Sequence, residues 1–203
     1  WNPGVGANQK FMLTSVPAVR NVPTDTSVKI ESTINPDQVA DIPSASKANG
    51  TPVQLYQSNG TTAQRYRIEA VGNGVYRLYD RNSGKAIDVR NGGTANGTAI
   101  QQYSPNGTQS QNWYVRGNGN GTVGFYNRNS GRYIDVPSGK AHNGAKLQLY
   151  SGNATRAQRF RIVQAASTRD VSDRLASENR GVLKDGTYRL AAARNQSYAL
   201  TAT

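Results

Sequence analysis

Short runs of alternating apolar and polar residues recur along this chain. Val75-Tyr76-Arg77-Leu78 is one, and further short strands centre on Ala86-Ile87-Asp88-Val89 and Tyr133-Ile134-Asp135-Val136. In Gln64-Arg65-Tyr66-Arg67-Ile68, Tyr66 and Ile68 fall on one side and Arg65 and Arg67 on the other. Successive side chains on a strand point to opposite faces, so this period of two predicts strands with one face buried. Asn-Ser-Gly, Asn-Gly-Thr and Gly-Asn-Gly clusters separate the runs and supply turn residues.

The runs obey a fixed repeat. Gln64, Gln111 and Gln158 stand 47 residues apart, as do Asp41, Asp88 and Asp135. Gln54, Gln101 and Gln148 keep the same spacing, and so do Tyr56, Tyr103 and Tyr150. A period of this size without insertions marks a repeat architecture. The units run from Thr26 to Ile68, from Gly74 to Val115 and from Gly121 to Ile162. Each predicts four short strands, and one unit cannot bury its own apolar face. Three units must therefore share a core, and the expected fold is all-β, a barrel-like assembly of twelve short strands with pseudo-threefold symmetry.

The Gln-x-aromatic endings Gln64-Arg65-Tyr66, Gln111-Asn112-Trp113 and Gln158-Arg159-Phe160 resemble the QxW signature of ricin-type β-trefoil lectin domains. The stretch from Asp88-Val89 through Asn96-Gly97 to Gln101-Gln102-Tyr103 is similar to that family as well. The resemblance covers residues 26–165 and implies one complete β-trefoil. Residues 1–16 read as the end of a preceding trefoil, because Gln9-Lys10-Phe11 is a further Gln-x-aromatic and Trp1 precedes Gln9 as Tyr56 precedes Gln64. Residues 17–25, with Pro17 and Pro23, read as a linker. Residues 166–184 read as a partly helical linker, with Ser167-x-x-Asp170 as a capping box, Val171 and Leu175 on one face and Gly181 as the stop. Residues 185–203 read as the start of a following trefoil. The expectation is a piece of a tandem array whose partial ends pair with each other or with a neighbouring molecule.

The chain has no cysteine, which excludes disulfides and thiol chemistry. Ricin-type domains of eukaryotes usually carry disulfides, so the resemblance points to a bacterial protein, secreted or at the cell surface. No apolar run approaches the roughly 20 residues of a membrane-spanning helix, so membrane insertion is not expected. Asn-x-Ser/Thr sequons such as Asn59-Gly60-Thr61 and Asn106-Gly107-Thr108 read as turns rather than glycosylation sites. The single histidine, His142, lies in a loop where the sibling units have Ala48 and Ala95. One histidine makes no metal cluster, and the three repeat aspartates belong to separate sites rather than to a carboxylate pair. No phosphate-binding glycine loop is present. No catalytic residue, metal or cofactor is expected.

What the resemblance implies is sugar binding. The family uses an aspartate after the second strand as an acceptor for sugar hydroxyls, an aromatic fifteen residues later as a stacking platform, and an Asn-Gln pair at the rim. Carried onto this sequence, the aspartates are Asp41, Asp88 and Asp135, and the platforms are Tyr56, Tyr103 and Tyr150. The glutamines are Gln64, Gln111 and Gln158, and Asn59, Asn106 and Asn153 add a polar contact three residues after each tyrosine. The asparagine expected before each glutamine is replaced by Ala63, Ser110 and Ala157. A lost ligand hydrogen bond of about 1 kcal/mol is a large part of a millimolar affinity of about −4 kcal/mol. The glutamines also have a structural alternative, holding the unit together. The middle unit carries the fullest set, with Asn91 and the hydroxyl of Ser110 in addition. The first unit departs most, through Pro43 and Ser44.

The net charge is +12, from 24 Lys and Arg against 12 Asp and Glu. Strongly basic chains favour anionic partners. The arginines recur with the repeat (Arg65 and Arg67, Arg159 and Arg161), so they spread around the barrel instead of forming one stripe. That distribution disfavours nucleic acid and favours anionic glycans or cell-wall polymers. Two readings follow: a lectin module whose weak sites add by avidity, or a structural spacer or protein-interaction trefoil of a surface protein that has lost the sugar. Whether Asp88 and Tyr103 face an open pocket discriminates between them.

Overall fold

A computed structural model describes residues 22–24 and 26–165, together with the backbone of 188–192 and 198–202. Gln9-Lys10-Phe11, most of the first linker and the region from Ser167 to Gly181 lie outside the described residues. The chain divides into two units, residues 1–165 and 166–203. In the second, strands Tyr188–Ala192 and Tyr198–Ala202 pair antiparallel, with Leu190 opposite Leu200.

The first unit is a β-trefoil. Its opening repeat holds β1 (Val28–Ser32), β2 (Gln38–Asp41), β3 (Gln54–Gln57) and β4 (Tyr66–Gly72). The second holds β5 (Val75–Asp80), β6 (Ala86–Val89), β7 (Ile100–Tyr103) and β8 (Trp113–Gly119). The third holds β9 (Thr122–Asn127), β10 (Arg132–Asp135), β11 (Ala145–Lys146), β12 (Gln148–Tyr150) and β13 (Phe160–Gln164). Strands β1, β4, β5, β8, β9 and β13 close into a barrel, each antiparallel to the next, with β13 returning to β1 through Ile162 opposite Ile30. Hairpins β2/β3, β6/β7 and β10/β12 cap it. In the third unit the expected third strand divides, because Ala145 and Lys146 pair with β3 of the first unit while Gln148–Tyr150 pair with β10. The fourth strand of each unit begins at the aromatic. Gln64, Gln111 and Gln158 instead end short 3-10 turns.

The aromatics that end each repeat meet in the core. Tyr66, Trp113 and Phe160 are fully buried among Ile68, Leu78, Ile100 and Phe125. The Trp113 indole N–H donates to the Ile87 carbonyl at 3.1 Å, so its polar atom is satisfied. Gln102 sits where the sibling units have Leu55 and Leu149, yet it too is fully buried. Its amide nitrogen donates to the carbonyls of Ser46 and Ala48 at 2.8 and 3.0 Å, and its oxygen accepts from the Ser83 hydroxyl at 2.7 Å.

A threefold clamp joins the units. The side-chain oxygen of Asn49 accepts from the Ser104 amide at 3.0 Å, that of Asn96 from Ser151 at 2.8 Å, and that of Asn143 from Gln57 at 2.8 Å. Each unit thus grips the next and the third grips the first. His142, beside the last clamp, is exposed, with Nδ1 2.9 Å from the Asn143 carbonyl oxygen.

After each repeat aspartate the chain makes a tight turn with two residues at positive φ. These are Ser44 and Ala45, Asn91 and Gly92, and Ser138 and Gly139. The left-handed region costs a side chain about 1–2 kcal/mol, and only the first unit puts an alanine at the second position, at φ 49°. Ala45→Gly is therefore expected to raise the unfolding free energy by about 0.5–1 kcal/mol, after the glycine's own entropic cost. Urea melts of the two proteins measure it, and an unchanged or lower midpoint would show that the turn carries no strain at Ala45.

Candidate functional site

The cap hairpins build three equivalent clefts, and the middle one shows how. Asp88, next to the last residue of β6, lies directly across from Gln101 on β7. Opposed side chains on one sheet face lie within bonding reach, and the Gln101 amide donates to Asp88 Oδ1 at 2.8 Å. Gln111 approaches from the 3-10 turn behind and donates to Asp88 Oδ2 at 3.2 Å and to the Ser104 carbonyl at 3.0 Å. Its own oxygen accepts from the Asn106 amide at 3.0 Å. Each carboxylate oxygen is thus oriented by one amide and keeps a lone pair for a ligand. Burial pushes the Asp88 carboxyl above its ordinary range, and the hydrogen bonds from Gln101 and Gln111 oppose that rise.

The same lattice recurs around Asp41, which accepts from Gln54 at 2.8 Å and Gln64 at 3.2 Å. Asp135 accepts from Gln148 at 3.0 Å and Gln158 at 3.1 Å. Asn59, Asn106 and Asn153 each turn a side-chain oxygen onto the amide and hydroxyl of the threonine two residues on. The sequon pattern is therefore an Asx turn at these positions. In all three asparagines the amide nitrogen has no partner among the described residues and remains a donor.

The middle cleft, of about 380 Å³, is lined by Asp88, Asn91, Gln101, Tyr103, Asn106 and Ser110. The first, of about 430 Å³, is lined by Asp41, Ser44, Gln54, Tyr56, Asn59 and Ala63. The third, of about 620 Å³, is lined by Asp135, Gln148, Tyr150, Asn153 and Arg156, with Ile34 of the first unit on its wall. Tyr56, Tyr103 and Tyr150 are 39, 39 and 40% exposed, an unusual degree for large aromatics. Asp88 and Tyr103 therefore share an open cleft.

The structure brings together every aspartate, tyrosine and asparagine singled out from the sequence. It does not bring Gln64, Gln111 and Gln158 to the rim. They are buried and committed to the aspartate and the loop behind it. The glutamines that line the clefts are Gln54, Gln101 and Gln148, visible in the sequence as a repeat marker and not there assigned to the site. Ala63, Ser110 and Ala157 do line their clefts, so replacing the family's asparagine removes a group from the cleft itself. Each cleft carries a single carboxylate, whereas glycoside hydrolysis uses two. An aromatic face beside a carboxylate acceptor and amide donors matches a pyranose, apolar on one side and hydroxylated at its edge. Among the described residues no group of side chains could hold a metal ion, and no helix is long and apolar enough to cross a membrane.

A family model for ricin-type β-trefoil lectin-like domains matches residues 5–103 and 109–187. No curated protein matches. Among solved structures, the designed threefold-symmetric protein ThreeFoil is 32% identical with a TM-score of 0.67, over 68% of this chain and 98% of that one. An exo-β-1,3-galactanase from Clostridium thermocellum is 26% identical with a TM-score of 0.67, over 71% of this chain but 31% of the enzyme. A ricin B-like lectin from Macrolepiota procera, solved with lactose, shares the fold at 16% identity and a TM-score of 0.62, over 71% and 99% of the two chains.

Proposed function

The chain belongs to the ricin-type β-trefoil lectin-like domains, and from that premise we propose that it is a carbohydrate-binding module of a secreted or surface bacterial protein. Family membership supports carbohydrate binding as the general activity. The observation that carries the finer reading is the open cleft pairing an oriented carboxylate, Asp88, with an exposed ring, Tyr103. The sugar ring stacks on Tyr103, Asp88 accepts its hydroxyls, and Asn106, Asn91 and Ser110 complete the edge. Shallow sites of this kind bind weakly, at the millimolar level of about −4 kcal/mol, and several sites on one chain convert that into useful avidity. Where such a module is joined to a catalytic domain, its task is to hold the glycan near the enzyme.

A spacer or protein-interaction role is the second reading, favoured by Ala63 and Ala157, which supply no polar group at their rims. A glycan array discriminates. Asp88→Ala also breaks a buried network, so Tyr103→Ala, which removes an exposed ring outside that network, is the companion variant. Binding that falls about tenfold in both variants, the equivalent of 1.4 kcal/mol, is the expected result. Binding unchanged in both rejects the middle cleft, and a wild type that binds no glycan favours the spacer.

A further inference from the structure

Of the three clefts, only the third has a cation among its lining residues. Arg156 occupies the repeat position of Thr62 and Gln109. Neither of those lines its cleft, whereas Arg156 lines the third beside Tyr150 and Asn153. Its guanidinium is not a free-swinging surface charge. Nη2 donates to the carbonyls of Thr33 and Ile34, in the turn between β1 and β2. That contact holds the guanidinium at the cleft wall, while Nε and Nη1 keep their N–H donors without partners among the described residues. Among the described residues no acid neutralises it, the ion pairs there being Lys29–Glu31 and Arg67–Glu69. The one carboxylate in the cleft, Asp135, already accepts from two amides, those of Gln148 and Gln158. The cleft is also the largest of the three, so a sugar with a substituent beyond its ring hydroxyls has room.

An anchored, unpaired guanidinium beside a stacking ring is arranged for a carboxylate, with which arginine forms short charge-assisted hydrogen bonds. We infer that the third cleft selects an acidic sugar, whose ring stacks on Tyr150, whose hydroxyls meet Asp135 and Asn153, and whose carboxylate is held by Arg156. This rests on the reading of the clefts as sugar sites and adds the substrate class of one of them. The middle cleft, with the neutral Gln109 at the same position, takes neutral sugars without this preference.

The test uses the full chain and matched probes: glucuronic acid against glucose, galacturonic acid against galactose, and sialyllactose against lactose. Binding is followed by amide shifts of Asn153 and Thr155 for the third cleft and of Asn106 and Thr108 for the middle one. The acidic member of at least one pair is expected to bind the third cleft about ten- to a hundredfold tighter, the range of a charge-assisted hydrogen bond. Arg156→Gln places the middle unit's own residue at this position, so it is compatible with the fold, and it should erase that preference. Gln109→Arg should carry a part of the preference to the middle cleft. Neutral sugars that bind with no acidic preference, or a preference that survives Arg156→Gln, overturn the inference and leave the lectin reading intact. No response to any probe at either cleft overturns both.

Discussion

Replacing Gln111 with leucine is expected to cost about 3–4 kcal/mol of stability, the sum of a lost buried bond to a carboxylate and two part-buried bonds to backbone groups. The glutamine is fully buried and uses both ends of its amide. Its nitrogen bridges Asp88 Oδ2 and the Ser104 carbonyl, and its oxygen receives the Asn106 amide. Leucine fills similar volume but leaves all three groups without a partner, and a buried group stripped of its partner loses more than the bond is worth. Against a total stability of roughly 5–15 kcal/mol, the loss should lower the melting temperature by about 10 °C. The exposed neighbour Gln109→Leu should change it little. A loss below 1 kcal/mol, with glycan binding abolished in a stable protein, would instead place Gln111 against the sugar.

That outcome matters because the sequence leaves the glutamine's role open. Each unit holds two repeat glutamines, and spacing alone does not say which faces outward. The difference is one of direction. Gln101 lies across a strand pair from Asp88 and therefore shares its face and its cleft. Gln111 lies in a 3-10 turn that passes behind the aspartate. The repeat and the alternation of Tyr66 and Ile68 were enough to read a threefold all-β assembly, whereas the trefoil and the pairing of each aspartate with a tyrosine came from the resemblance of the Gln-x-aromatic endings to a known family. Gln102 shows the limit of patterning, since a polar residue at a leucine position is buried only because three partners from two loops converge on it. Arg156 shows another: its significance depends on carbonyls in the first unit, more than a hundred residues away in sequence.

The repeat also exposes a residue that works against the fold, and Asp80→Asn should stabilise the protein by about 1–3 kcal/mol at neutral pH, the penalty for a buried polar atom without a partner. Asp80 occupies the position of Asn127 in the next unit. There the Asn127 amide donates to the carbonyls of Gln109, Ser110 and Asn112 at 3.2–3.3 Å while its oxygen accepts from the Ser130 amide at 3.0 Å. Asp80 keeps the second contact, with Oδ2 accepting from Ser83 at 2.7 Å. Its Oδ1 is buried and unpaired, where the repeat supplies carbonyls and a carboxylate has nothing to donate. Burial is the chief cause that raises the Asp80 carboxyl above its usual range, the charge of Asp41 adds to it, and hydrogen bonds from Ser83 and Asn82 oppose it. The buried Tyr66 hydroxyl, also unpaired, feels the same two carboxylates. A carboxyl whose folded pKa is raised binds more protons in the folded state than in the unfolded one. Its contribution is fully present below the unfolded value of about 3.9 and is lost as pH rises through the folded value. Asparagine does not titrate, so the advantage of Asp80→Asn should be smallest near pH 3 and grow to a plateau above the folded pKa. Urea melts of both proteins from pH 3 to 8 measure this difference. An advantage independent of pH would assign the gain to the restored amide bonds alone, and a loss at pH 7 would mean that the Asp80 carboxylate has a partner that asparagine cannot replace.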